Sequence, residues 1–213
     1  MTKGRSRVTK KKLLAAAGEI FTEKGFRDAT VAEICARAKA NISAVNYHFG
    51  SKKALYQETW RHSLAESLKK YPMDGGVSAS ASAEERLRGQ LTSLIYRISD
   101  ENNKELFITQ MEIINPTGLL NEVMEAELIP MRKQTLALVR ELLGPEATEQ
   151  QVHYCEISIV SMCVRPLVMQ RIARRIKNKH MPAIIEDIEA FADHVVEFAL
   201  AGINVIRNKE SKS

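Results

Sequence analysis

Between Phe21 and Phe49 the chain reads FTEKGFRDATVAEICARAKANISAVNYHF, and its punctuation leaves the backbone few options. Upstream, Leu13, Leu14, Ala17, Ile20 and Phe21 recur at helical spacing, so an amphipathic helix is expected from Val8 to Lys24. Gly25 stops it, because glycine alone adopts the usual helix-ending conformation without penalty, and Phe26 returns the chain to the core. Thr30, with Glu33 three residues on, makes a capping box for the short helix VAEICARA. The tripeptide KAN is a tight turn, with Asn41 as the next N-cap. A third short helix runs to about His48, and Ser51 caps a fourth that passes Trp60 and ends near Lys70.

The remainder reads as helix too. YPMDGGVSASASA, Tyr71 to Ala83, has linker composition, too small and polar to hold a fixed shape. Helices follow at about Glu84–Asp100 and Lys104–Glu112, then an NPTG break. Leu119–Leu143 comes next, interrupted or kinked at Pro130 and closed by Gly144-Pro145. A long apolar helix runs from Glu149 to about Lys177 with Pro166 as its kink, and a last one from Pro182 to Asn208. No run alternates as a strand would. The expected fold is all-α: a three-helix N-terminal domain over residues 7–67 joined to a larger helical bundle over 84–208.

Composition narrows the function. With 45% apolar and 27% charged residues in 213, the chain has the balance of a soluble globular protein. No window approaches 18 uninterrupted apolar residues, and the basic N-terminus lacks a signal-peptide apolar run, so a cytoplasmic protein without a membrane partner is expected. Cys35, Cys155 and Cys163 lie in apolar helical patterns without C-x-x-C spacing, as buried, reduced thiols would. Residues 1–61 carry 13 Lys+Arg against 5 Asp+Glu, whereas the other 152 carry 18 against 21. A basic N-terminal module on a mildly acidic body is the footprint of a polyanion reader with a separate second task.

Helix, turn, short helix, three-residue turn, short helix is the helix-turn-helix layout, here over about residues 30–49, whose second element fits the major groove of B-DNA. Val45 and Phe49, at i and i+4, would pin the third helix inward. Ser43, Asn46 and Tyr47 share another face that would look outward. A serine hydroxyl bonds phosphate or base, and asparagine bonds adenine bidentately. Tyr47 and His48 can donate to phosphate oxygens, Lys52 can pair with one as a charge, and the amides at the Thr30 helix start can bind another. A purely structural role for His48 or Tyr47 stays open on spacing alone.

Residues 7–67 resemble the DNA-binding domain of the TetR-type transcriptional repressors. The resemblance rests on Leu13-Leu14, Ala16-Ala17, Ile20-Phe21, Gly25-Phe26, Thr30-Val31, Ile34, Ala38, Val45, His48-Phe49, Ser51-Lys52 and Leu55, in order and without gaps. It implies that Thr30, Asn41, Ile42, Ser43, Ala44, Asn46, Tyr47, His48 and Lys52 form the DNA face. Three departures stand out. Lys39 occupies the turn position where the family has glycine, so either the turn tolerates it or its geometry shifts. The family's tyrosine three residues before Phe49 is Asn46 here, with the ring one place later at Tyr47. Ile42 falls beside Val45 in the core by helical spacing, but faces DNA by resemblance. The string AKANISAVNYHF and the break Asn115-Pro116-Thr117 also look like the CerR/CecR-like subgroup.

The resemblance implies that 84–208 is a ligand-sensing and dimerisation domain, and that the protein is a homodimer. Its last two helices would pair across a two-fold axis through Ile157, Val160, Val164, Phe191, Val195 and Phe198, setting two reading helices one DNA turn apart on a palindromic operator. A pocket for a small hydrophobic or amphipathic effector would draw on Phe107, Met111, Met124, Met162 and Met169. Glu112, His153 and Arg165 would be its polar anchors. Each of these residues reads equally as core or surface. No histidine pair, Cys/His cluster, G-x-S-x-G or glycine-rich phosphate loop is present, so no metal, cofactor or catalytic residue is expected. The expected function is a ligand-responsive repressor, and the alternative is an adaptor or nucleoid-associated protein whose second domain binds a protein.

Overall fold

The computed structural model describes residues 3–175 and 185–210, and every regular element among them is helical. The helices are α1 (Lys3–Asp28), α2 (Val31–Ala38), α3 (Ser43–Phe49), α4 (Lys52–Lys70) and α5 (Ala83–Ser99). They continue with α6 (Lys104–Ile114), α7 (Asn121–Leu143), α8 (Glu149–Arg175) and α9 (Ile188–Glu210). Pro130 and Pro166 lie inside α7 and α8, neither of which is interrupted. The expected Lys177 end of α8, the Pro182 start of the last helix and His180 lie outside the described residues. Asp187 precedes α9, and its Oδ1 accepts the Ala190 N–H at 3.0 Å.

The chain divides into two compact units, and the division cuts across the expected linear one at 67 and 84. One unit comprises Met1–Lys69 with Asn102–Glu127, and the other Lys70–Glu101 with Leu128–Ser213. In the first, Leu13, Ala17, Phe21, Ile34, Val45, Leu55, Tyr56 and Trp60 are buried. Gly25 breaks α1 with φ 72 and ψ −175, and the thioether methyl of Met111 packs so near that an added Cβ would stand 3.2 Å from it. Phe26, just past the break, packs tilted against Tyr56 at 5.1 Å between centroids, and Phe21 meets the same ring edge-on at 4.7 Å.

What draws α6 and the following NPTG loop into this unit is a set of side-chain hydrogen bonds from α4. Trp60 Nε1 donates to Thr109 Oγ1 at 2.9 Å, and Gln57 Nε2 to the Leu119 carbonyl at 2.7 Å. Tyr56 donates its hydroxyl to Glu112 Oε2 at 3.1 Å. Burial, together with the Glu112 carboxylate, pushes the Tyr56 phenol well above its ordinary value. The other Glu112 oxygen accepts the Thr117 and Gly118 amides at 2.8 and 2.7 Å, folding the loop back over the end of α6.

In the second unit, Leu87, Leu91 and Ile95 of α5 pack in a core with Val152, Ile159 and Cys163 of α8 and Ala192, Val196 and Ala199 of α9. Residues 71–82 do not behave as the flexible linker their composition predicts. The Gly75 N–H donates to the Pro72 carbonyl at 3.0 Å, and the Gly76 N–H to Asp74 Oδ1 at 2.8 Å. Gly75 then lies backbone to backbone on Gly89 of α5, where an added Cβ would come within 2.2 Å of the Gly89 carbonyl oxygen. Two glycines that signal freedom in composition here permit close contact. Ser82 and Glu85 form a reciprocal capping box that starts α5.

Among the described helices, α8 alone is long and apolar enough to cross a membrane, with a mean hydropathy of 1.3 over its most apolar 18 residues. Its apolar residues Val152, Cys155, Ile159, Cys163 and Leu167 are buried along one side, and its buried Glu156 pairs with Arg132 at 2.9 Å.

Candidate nucleic-acid interface

The frame of the site is set by two local motifs. At the start of α2 the Thr30 hydroxyl accepts the Glu33 N–H at 3.2 Å, while Glu33 Oε2 accepts the Thr30 N–H at 3.0 Å. Lys24 pairs with the same carboxylate across the Gly25 break. These hydrogen bonds, led by the one from Lys24, hold the Glu33 carboxyl down at about 2.

At the end of α2 the Lys39 N–H donates to the Ala36 carbonyl and the Ala40 N–H to that of Cys35, the paired bonds of a Schellman motif. Lys39 itself is left-handed, at φ 52 and ψ 44, the only described non-glycine residue with positive φ. The turn therefore keeps the geometry that glycine would give and carries a lysine in it.

Helix α3 begins one residue later than the Asn41 cap implies, with Ile42 in the formal cap position. Asn41 still does the capping: Oδ1 accepts the Ser43 N–H at 2.9 Å and the Ser43 hydroxyl at 2.8 Å. Ile42 already has helical angles, φ −58 and ψ −32, so the difference is one of boundary rather than of chemistry. Of the two readings of Ile42, the core one is overturned: it is 59% exposed, because on so short a helix its position turns away from Val45, which is fully buried.

The outward face is continuous. Asn41, Ile42, Ser43, Asn46 and Tyr47 are all exposed, with Tyr47 at 73%, while Ala44 and His48 are half-buried at its edge. The Tyr47 and His48 rings meet edge-on at 4.9 Å. Lys52 is committed in part. Its ammonium lies 4.4 Å from the centre of the Phe26 ring and donates to the Arg27 carbonyl at 3.4 Å, and burial lowers its pKa. Lys10 of α1 reaches the far end of α3, with Nζ 5.4 Å from the centre of the Phe49 ring. Its place beside α3 could not be read from spacing, since it depends on how α1 and α3 cross.

The eight residues expected to line an effector pocket are divided between the two units. Phe107, Met111, Glu112 and Met124 belong to the first unit, and His153, Met162, Arg165 and Met169 to the second. Glu112 is a structural acceptor for Tyr56, Thr117 and Gly118. Met111 packs on Gly25. His153 Nδ1 donates to the Glu149 carbonyl one turn back at 2.7 Å. Only Met162 lines the shallow apolar cavity of about 150 Å³ on α8 and α9, with Tyr154, Phe198, Gly202, Ile203 and Ile206.

The expected dimer residues divide by exposure. Phe198 and Ile157 are 61% and 52% exposed, and Val160, Val164 and Phe191 are half-buried. Val195 is a correction: at 3% exposure it belongs to the core of its own chain, on the inward stripe of Ala192, Val196 and Ala199. Tyr154 and Val205, outside the expected set, are 60% and 56% exposed. The thiols of Cys35 and Cys155 are raised by burial, and that of Cys163 is pushed up to about 12.

Comparisons with known proteins agree with this architecture. The family model described as bacterial regulatory proteins of the tetR family matches residues 13–59. The one described as the C-terminal domain of the HTH-type transcriptional dual regulator CecR matches residues 83–203. The "Probable HTH-type transcriptional regulator YttP" of Bacillus subtilis is 26% identical over 57% of this chain and 58% of its own length. The dual regulator CecR of Shigella flexneri is 28% identical over 67% of this chain and 68% of its own. The matched stretch thus spans little more than half of the first relative. A TetR-like transcriptional regulator from Rhodococcus sp. RHA1 shares the fold at a TM-score of 0.65 and 17% identity, covering 92% of this chain and 96% of that one. The chain belongs to the TetR family of transcriptional regulators and carries a C-terminal domain of the CecR type.

Proposed function

We propose that this protein is a cytoplasmic, ligand-responsive repressor that binds a palindromic operator as a homodimer and leaves it when a small amphipathic effector binds the second unit. Regulators of this family bind DNA and form dimers. The observation that carries the reading is the α3 face, where an isoleucine, a serine, an asparagine and a tyrosine are all exposed on a basic module. Asn46 reads a base edge, Tyr47 donates to a phosphate, and Ile42 meets a thymine methyl. Thr30 presents the amide end of α2 to the backbone, and the partly engaged Lys52 adds a charge. Phe198 and Ile157 lie at the two-fold interface that spaces two such faces. An effector that favours the wrong spacing weakens DNA binding by the coupling free energy, commonly about 1–3 kcal/mol.

Selection of bound duplexes from a randomised pool tests this. The protein should recover a palindrome with half-sites about one helical turn apart. Asn46→Ala should relax preference at one position of each half-site, while Tyr47→Phe should weaken all sequences by about two- to tenfold. Recovery of no shared sequence, or unaltered behaviour in both variants, would remove α3 from the interface.

A further inference from the structure

The larger of the two cavities described in the second unit is assigned no role by the reading above. It has a volume of about 380 Å³ and lies among the 71–82 loop, α5 and α7. That is within the range of small-molecule sites, roughly 300–1,000 Å³. Its walls are Met73 and Val77 from the loop and Ala137 and Leu138 from α7.

The loop wall is fixed in place. Val77 packs on Gly89, where an added Cβ would meet Val77 Cγ2 at 2.5 Å, and Ser93 donates its hydroxyl to the Pro72 carbonyl at 2.5 Å. A site with a preformed wall spends little on ordering when it is occupied.

The polar lining has a definite charge. Asp74, Glu141 and Arg86 all border the cavity. Arg86 is held by Glu141 and by the Ala81 carbonyl, so one carboxylate is already neutralised. Asp74 uses Oδ1 on the Gly76 amide and forms no ion pair among the described residues, which leaves one net negative charge. Gln90, buried at the lining, donates Nε2 to Thr135 at 2.7 Å and keeps its carbonyl oxygen as an acceptor. An apolar wall, an unneutralised carboxylate and an amide oxygen together suit an ammonium group on a small apolar body.

We propose that this cavity binds a small amphipathic cation, a primary amine on a compact apolar body, with Asp74 as its counter-ion and Met73, Val77 and Leu138 around the apolar part. The assignment rests on reading the second unit as ligand-binding, but it is tested without DNA. Titration calorimetry on the full chain uses three probes of closely similar size: 2-phenylethylamine, 2-phenylethanol and phenylacetate. The amine should bind at least about tenfold more tightly than the alcohol, with phenylacetate weakest. Asp74→Asn should bring the amine down to the level of the alcohol. Ala137→Phe, which fills the cavity from an exposed helix position and leaves every charge in place, should abolish binding of both. Equal affinity for amine and alcohol, an amine advantage that survives Asp74→Asn, binding that survives Ala137→Phe, or no binding by any probe would overturn the proposal. Operator release by the amine is a separate measurement: its absence, with calorimetric binding intact, would count against the effector reading and leave the cavity assignment standing.

Discussion

The α3 face, counted from its cap residue, and helix α8 each expose an isoleucine and a tyrosine, in very different company. At the start and on the outer side of α3, Ile42 and Tyr47 are 59% and 73% exposed among Asn41, Ser43 and Asn46, in a module of net positive charge. On α8, Ile157 and Tyr154 are 52% and 60% exposed, and Tyr154 shares an apolar cavity with Met162, Phe198 and Ile206. An exposed apolar side chain has little meaning alone; its neighbours decide whether it touches a base methyl or a protein surface. The supports differ as well. The α3 face is held by short-range backbone motifs, the Thr30 capping box and the Lys39 turn, whereas the α8 face is backed by a long-range core.

The sharpest way to break this comparison is to place a charge on the apolar side. Phe198→Asp should convert the dimer to monomer in sedimentation velocity and weaken operator binding by about 100-fold or more, with helical content unchanged. A dimer that survives would mean that this face serves some other contact. The complementary change, Glu112→Ala, strikes the hydrogen bonds that join α4 to α6 and the following loop. It removes the acceptor for Tyr56, Thr117 and Gly118 and should cost about 3 kcal/mol in urea unfolding while leaving the dimer intact in sedimentation.

Finer changes probe the local motifs. Lys39→Gly should add about 1 kcal/mol of stability, since the left-handed backbone penalises a side chain there and glycine escapes it, partly offset by its freer unfolded state. No gain would mean that the lysine side chain has compensating contacts. The smallest effect is in acid. Because folding lowers the Glu33 carboxyl to about 2, from an ordinary value of about 4.3, its stabilising contribution is complete above the ordinary value and is lost as pH falls toward about 2. Glu33→Gln should flatten that part of a melting-temperature profile against pH, and an unchanged profile would show that another carboxylate carries it.

The same contrast explains what the sequence made legible. Local signals were readable because their partners are three or four residues away: Thr30 with Glu33, Gly25 as a break, Ser51 as a cap accepting the Ala54 N–H. Ile42 was ambiguous because helical spacing is a weak guide at the first turn of a seven-residue helix. Val195 was misassigned because α9 is apolar on two adjoining stripes, and only packing separates inward Val195 from outward Phe198. The 71–82 loop was misread because a glycine chosen for close approach looks the same as one chosen for freedom, and Gly89, its partner, lies well downstream. The grouping of α6 with the first unit depends on Trp60–Thr109 and Tyr56–Glu112, pairs 49 and 56 residues apart, which no window of sequence contains.

Those two pairs have a consequence for how the protein is made. The reading unit is assembled from two separate stretches of chain, Met1–Lys69 and Asn102–Glu127. When residue 69 has left the ribosome, Tyr56 and Trp60 still lack the groups they bond, and in a fragment ending there water would have to take the place of those partners. The DNA-binding part of this protein is therefore completed late, after the whole of α5 has been synthesised. Cutting the chain at 69 would yield its reading helix without the second stretch of chain that completes the unit.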